Sequence, residues 1–188
     1  NKFKYNDWLN YSKQEFAKLC STSDKIFIIG CSMGGVIALH LASLFPVNGI
    51  ILGGVVLKFK LNFQTNYLNT LLCHFMKTRK KKMVIAKNKH NKINFYGYSS
   101  YPLIALNEFR KMNKKVIKEL NKIKTPILII HSNSDQVSIK DNIEIVRGHV
   151  LSKSVDVLNV NLAHHNIFDT NEDTPEIFLA IDQFLTKH

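Results

Sequence analysis

Three kinds of residue in this chain could together carry out nucleophilic chemistry: a serine at position 32, an aspartate at 135, and adjacent histidines at 164 and 165. A serine hydroxyl attacks a carbonyl carbon only when a base removes its proton. An imidazole serves as that base when a carboxylate fixes its tautomer and stabilises its protonated form. Ser32 lies in Gly-Cys-Ser-Met-Gly-Gly, Gly30 to Gly35, between the apolar run Ile26 to Ile29 and the apolar stretch Val36 to Leu44. The run reads as a fully buried strand and the stretch as a helix lying on a sheet. A turn passing directly from strand to helix is tight, and Gly30, Gly34 and Gly35 leave room around a strained Ser32. A helix-capping serine in a glycine-rich turn is the plainer alternative.

The elements that must position these groups alternate along the chain. Asp7 to Cys20 carries a helical stripe of Trp8, Leu9, Tyr11, Phe16 and Leu19. Pro46 stops the helix that follows Ser32, and Asn48 to Val56 reads as the next buried strand. Pro102 to about Leu120 predicts a helix, and Thr125 to Asp135 a buried strand ending in a polar turn, with Asp135 just past its carboxyl end. Asn142 to Leu151 reads as a helix and Val155 to Leu162 as a strand that ends at Ala-His-His-Asn-Ile-Phe-Asp. Thr174 to Lys187 closes the chain as an amphipathic helix. This alternation predicts an α/β fold with a mostly parallel sheet flanked by helices, whose ligands bind at the carboxyl edge of the strands. Ser32, Asp135 and His164 or His165 all fall at that edge.

From Leu57 to about Tyr101 the pattern becomes polar, aromatic and basic without clear strand signals. It reads as an insertion that covers the sheet edge as a small cap. Its apolar residues Phe59, Phe63, Leu68, Leu71, Leu72, Phe75 and Met76 are either the core of that cap or an acyl-binding wall. One domain, residues 1–188 with the insertion at about 57–101, accounts for the chain.

Composition narrows the function classes. With 188 residues, 45% of them hydrophobic and 21% charged, the chain builds one sizeable core and is not a disordered polymer. No apolar run approaches the roughly 18 residues that cross a bilayer. Cys20, Cys31 and Cys73 are odd in number and lack metal-ligand spacing, which favours reduced thiols in a cytoplasmic setting and argues against zinc. The net charge of +12 invites a nucleic-acid reading. Lysine is dispersed along the chain, however, and forms no defined groove, so nucleic acid is disfavoured. The run Lys77-Thr78-Arg79-Lys80-Lys81-Lys82 reads as a solvated loop or helix face. A role for Lys77, Arg79, Lys80, Lys81 and Lys82 would be attraction to anionic lipid head groups near a substrate entrance. A dinucleotide-binding reading of Gly30 to Gly35 fails, because Ser32 occupies the second glycine position of that template.

Gly-x-Ser-x-Gly between strand and helix, with the chain order serine, acid, histidine, is the arrangement of the α/β-hydrolases. Within that fold the chain resembles the carboxylesterase and monoacylglycerol lipase family of small-capped serine esterases. The resemblance is carried by DWLNY, by GCSMGG, by YSSYPLIALNEFRKMNKKVIKELNKIKTPILIIHSNSDQVS and by AHHNIFD. It implies a Ser-His-Asp triad of Ser32, Asp135 and His164. His164 is chosen because it precedes Asp169 by the family's five positions, and His165 is the alternative base. Asp169 is expected to order the loop or cap the last helix, and the Met33 backbone amide to serve as one oxyanion-hole donor. The resemblance implies no metal or organic cofactor and a substrate that is a short- or medium-chain ester or a monoacylglycerol. A thioesterase on the same triad, or a non-catalytic lipid- or nucleic-acid-binding relic, are the competing readings. The family's first strands and its His-Gly loop, which supplies the other oxyanion donor, have no counterpart before Cys20. An N-terminally incomplete, weakly active or unstable chain is the corresponding expectation.

Overall fold

The computed structural model describes residues 3–61, 64–80, 100–169 and 171–188. In chain order its elements are α1 (Tyr5–Cys20), β1 (Phe27–Cys31), α2 (Met33–Ala42), β2 (Gly49–Gly53), α3 (Asn69–Leu72), β3 (Thr78–Lys80), β4 (Ser100–Pro102), α4 (Leu103–Ile117), β5 (Ile127–Ser132), α5 (Asp141–His149), β6 (Val155–Val160) and α6 (Thr174–Lys187). A π-helical turn, Gln64–Leu68, leads into α3, and a 3-10 turn, Leu120–Lys122, follows α4.

Strands β1, β2, β5 and β6 form a parallel sheet in the order β1-β2-β5-β6. Every residue of β2 and β5 is buried, as expected for central strands covered on both faces. The pleat sends alternate side chains to opposite faces. Ile50, Leu52, Ile127 and Ile129 therefore join Leu9, Val36, Leu39, Met112, Val116 and Val146 in the core beneath α1, α2, α4 and α5. Ile51, Leu128 and Ile130 enter the opposite core with Val160, Ile177, Ile181 and Phe184 beneath α6. Each fully buried aliphatic side chain contributes about 1.5–3 kcal/mol, so the two cores together hold the helix-sheet-helix layers in place.

Register aligns the carboxyl ends of the strands: Cys31 lies beside Gly53, and Ser132 beside Val160. The loops that carry Ser32, Asp135 and the histidines consequently leave the sheet on the same edge.

Two sequence expectations change. The run Ile26 to Ile29 is not buried throughout: β1 is the outer strand of the described sheet, α6 packs on β5 and β6, and Ile29 is left 52% exposed. Within the insertion, Thr78–Lys80 is neither loop nor helix face. It pairs antiparallel with Ser100–Pro102, with Arg79 opposite Tyr101. Leu68, Leu71, Phe75 and Met76 are exposed rather than cap core, whereas Phe59 packs edge-on against Phe109 of α4 at 5.3 Å between ring centroids. Phe63, Lys81, Lys82 and the middle of the insertion lie outside the described residues. No helix of the described residues is long and apolar enough to cross a membrane.

Candidate active site

β1 runs into α2 with one residue between them. That residue, Ser32, has φ 54° and ψ −115° and is the sole non-glycine residue at positive φ among those described. Such a conformation costs of order 1–3 kcal/mol, and the surroundings hold it. The Ser32 amide donates to the Gly53 carbonyl at 2.9 Å, which ties the turn to β2. A side chain at Gly30 would collide with the Gly34 carbonyl and come within 2.7 Å of the Gly35 nitrogen, so the close approach of strand and helix requires glycine there. A Cβ at Gly35 would press on Val55 at 3.1 Å. Gly34 is different: a Cβ there would meet nothing within 4 Å, so it is not needed for room around Ser32. The Ser32 side chain makes no cap hydrogen bond to α2, which removes the helix-capping alternative.

The hydroxyl is committed elsewhere. Ser32 Oγ stands 2.8 Å from His165 Nε2, and His165 Nδ1 stands 2.9 Å from Asp135 Oδ2 and 3.1 Å from Oδ1. With the aspartate ionised, Nδ1 carries the proton and donates it to the carboxylate, which leaves Nε2 as the acceptor for the serine O–H. The Asp135 side chain is fully buried, and that of His165 is 23% exposed.

Asp135 is placed by the turn that ends β5. The Val137 and Ser138 amides donate to its Oδ1 at 2.7 and 3.0 Å, and the Ser138 hydroxyl donates to the Val55 carbonyl at 2.7 Å. Burial pushes the Asp135 carboxyl up, but the hydrogen bond and charge of His165 and the two amides outweigh it and hold the group below the usual carboxylate range. Nearby, burial pushes His131 of β5 below the ordinary imidazole range, and it pushes the Cys31 thiol up.

The histidine brought to Ser32 and Asp135 is His165, which corrects the choice of His164. His164 is exposed to solvent. The cause lies in the residues before it. Asp173 Oδ2 accepts from the Leu162 and Ala163 amides at 2.6 and 2.7 Å, the Ala163 carbonyl accepts from the Ser132 hydroxyl, and the Ala163 side chain is fully buried. With residue 163 turned into the core, residue 164 faces outward and residue 165 turns over the sheet edge. The spacing of His164 to Asp169 fails as a guide because Asp169 is exposed. It does not cap α6, whose N-cap residue is Asp173.

Sequence reasoning did not single out Asp173, Ser132 or Gly54. Gly54 has φ 50°, and a Cβ there would lie 3.1 Å from Asp135 Oδ2 and 3.5 Å from His165 Nδ1. Its signal was the Gly53-Gly54 pair directly after an apolar strand. The segment after Gly54 is fixed by two buried asparagines. Asn113 Nδ2 donates to the Val56 and Leu57 carbonyls, and Asn142 Oδ1 accepts from the Leu57 and Lys58 amides. Met33 is the first residue of α2, where backbone amides have no intrahelical acceptor. His165 and Asp135 therefore meet Ser32 beside a helix N-terminus, a combination that can activate a hydroxyl and stabilise a nearby anion.

Residues 6–173 match the family Hydrolase_4, described as serine aminopeptidase S33, and the chain belongs to that family. No curated protein matches it in sequence. Among solved structures, it is similar to that reported for LipS and LipT, metagenome-derived lipolytic enzymes, with TM-score 0.83, 21% identity and coverage of 99% of this chain and 75% of the other. It is also similar to a monoacylglycerol lipase from Paleococcus ferrophilus, with TM-score 0.78, 17% identity and coverage of 99% and 76%. A third likeness is to a soluble variant of the monoglyceride lipase of Saccharomyces cerevisiae in complex with a substrate analogue, with TM-score 0.71, 19% identity and coverage of 98% and 69%. The fold is that of the α/β-hydrolases.

Proposed function

We propose that the chain is a serine hydrolase of carboxylic esters, with Ser32 as nucleophile, His165 as general base and acid, and Asp135 as the group that orients the imidazole. One observation carries the reading: the Ser32 hydroxyl, held at a strained elbow, points to an imidazole whose other nitrogen is bound to a buried carboxylate. His165 Nε2 takes the hydroxyl proton as Oγ bonds to the ester carbonyl carbon. The oxyanion that forms is met by the Met33 amide, and the imidazolium then protonates the departing alcohol. Water, deprotonated by the same imidazole, attacks the acyl-serine and releases the acid. Throughout, Asp135 stabilises the imidazolium as an anion.

Ester rather than peptide substrates are favoured by the lipolytic and monoglyceride lipase descriptions of the similar structures, although the family's description names an aminopeptidase. The triad is indifferent to the leaving group. We infer a short- or medium-chain ester or a monoacylglycerol as substrate. A fluorophosphonate probe tests the centre: the protein is expected to label, and Ser32→Ala is expected not to. A panel of p-nitrophenyl esters, monoacylglycerols, acyl-CoA thioesters and aminoacyl anilides then tests the substrate. Turnover of the anilides alone would reject the ester reading, and a folded protein that never labels would reject catalysis.

A further inference from the structure

The loops that carry the acid and the base are fastened to each other beyond the ends of their strands. The register pairs Ser132 with Val160 as the last residues of β5 and β6. Past that pair the Asn133 amide donates to the Val160 carbonyl at 2.9 Å, Asn133 Nδ2 donates to Asn161 Oδ1 at 2.7 Å, and the Ser134 hydroxyl donates to the Asn161 carbonyl. The two side-chain rungs are exposed and end at Asn161, four residues short of His165. Water can take their place. One rung is buried and reaches further. Ser132 is 1% exposed, and its hydroxyl donates to the Ala163 carbonyl, two residues before His165, while accepting the Ser134 amide at 3.2 Å.

That rung completes a clamp on a single residue. Each peptide unit is planar, so the direction of the chain at a residue depends on the angles between its two flanking planes. At Ala163 the plane before the α-carbon is held by Asp173 Oδ2, which accepts the amide at 2.7 Å. The plane after it is held by Ser132 through the carbonyl. With both planes held and the side chain fully buried, the direction in which His164 and His165 leave is set. Ser132 also anchors the turn that carries Asp135, because its carbonyl accepts the Asp135 amide at 3.1 Å. We infer that Ser132 is a positioning residue for the reaction, whose hydroxyl joins the turn of the acid to the loop of the base so that Asp135 and His165 are held toward each other as one unit. The inference rests on the proposed hydrolysis at Ser32 and adds to it a residue that acts through Ala163 rather than on the substrate.

Ser132→Ala removes one oxygen and leaves the packed volume almost unchanged, so it tests the bond. Two readouts are taken side by side: ester kinetics, and the low-field NMR resonance of the proton that His165 Nδ1 donates to Asp135. The unaltered protein is expected to show that resonance, and His165→Ala to lack it. Ser132→Ala is expected to broaden it through exchange with water and to lower kcat about ten- to a hundredfold with KM within about twofold. Ser132→Cys, which keeps a weaker donor, is expected to fall between serine and alanine in both. Ile123→Val, a change at a fully buried residue on the amino-terminal side of β5, is expected to lower the melting temperature and to leave the resonance and kcat as they were. Measurements well below the lowest melting temperature of the set keep every variant folded. A sharp resonance with unchanged kcat in Ser132→Ala would overturn the proposal. Equal losses in Ile123→Val would do so as well, since they would trace to general stability. If the unaltered protein shows the resonance but neither turns over esters nor labels with fluorophosphonate, the hydrolytic reading has failed, and the resonance in Ser132→Ala still decides whether Ser132 joins the two loops.

Discussion

At the scale of single residues, adjacent histidines hold opposite positions: His165 bridges Ser32 and Asp135, while His164 faces solvent. The two share chemistry and sequence context, so substitution separates them cleanly. His165→Ala is expected to slow ester turnover and fluorophosphonate labelling by about 10⁴-fold or more, because the hydroxyl loses its base. His164→Ala is expected to stay within about threefold of the unaltered protein, since a lost exposed side chain has little effect. A large loss in His164→Ala alone would reverse the assignment. Ser32 and Asp135 were legible in the sequence because each follows an apolar strand directly, and strand ends define one edge of a parallel sheet. The histidine was not. In a loop, neither neighbour's direction follows from spacing, and here it is set by Ala163 being buried and by Asp173, ten residues further on.

At the scale of elements, the loop from β6 to α6 is held by Asp173, whose carboxylate accepts the Leu162 and Ala163 amides before the histidines are reached. Hydrogen bonds to a charged acceptor contribute about 1.5–3 kcal/mol each. Asp173→Ala is therefore expected to lower stability by about 2 kcal/mol or more and, by loosening the seat of His165, to lower kcat more than it raises KM. Asp173→Asn, which keeps one acceptor oxygen, is expected to recover part of both. Thermal melts with ester kinetics check this, and loss of stability with unchanged kcat would show that the loop holds His165 without Asp173. Periodicity recovered the helices because each buries one face, and the central strands because both of their faces are covered. It failed where burial depends on what lies alongside: Ile29 on the outer strand β1, Leu71 on a helix attached to α4 by polar groups, and Phe75 in the turn that follows it. A short strand such as Thr78–Lys80 has no apolar alternation to reveal it and exists through its pairing with Ser100–Pro102.

At the scale of the whole molecule, a charged cluster ties the elbow helix to the layer behind it. His40 of α2 is buried, and its Nδ1 lies 2.7 Å from Glu119 Oε2 just beyond α4. Lys115 Nζ meets the other carboxylate oxygen at 2.7 Å, and His40 Nε2 has no partner among the described residues. Burial pushes Glu119 up, but the hydrogen bonds and charges of Lys115 and His40 outweigh it and hold the carboxyl below its ordinary value. A carboxyl lowered in the folded state binds protons more readily when unfolded. Its contribution to stability is therefore complete above the ordinary carboxylate pKa of about 4.3 and is lost as pH falls through the lower, folded value. Asp135, lowered in the same sense, adds to that acid-side loss. His131, held low by burial, acts at higher pH: the unfolded chain takes up the proton first, so stability begins to fall below about 6.5. The melting temperature is expected to decline in two stages, gently below pH 6.5 and steeply below about pH 4.3. Glu119→Gln is expected to lower stability at pH 7 by about 1–3 kcal/mol and to flatten the steep stage. Thermal unfolding from pH 7 to 3 decides it. If the substituted protein keeps the full acid slope, then Asp135 and the other carboxylates, not the bond between α2 and Glu119, govern acid stability.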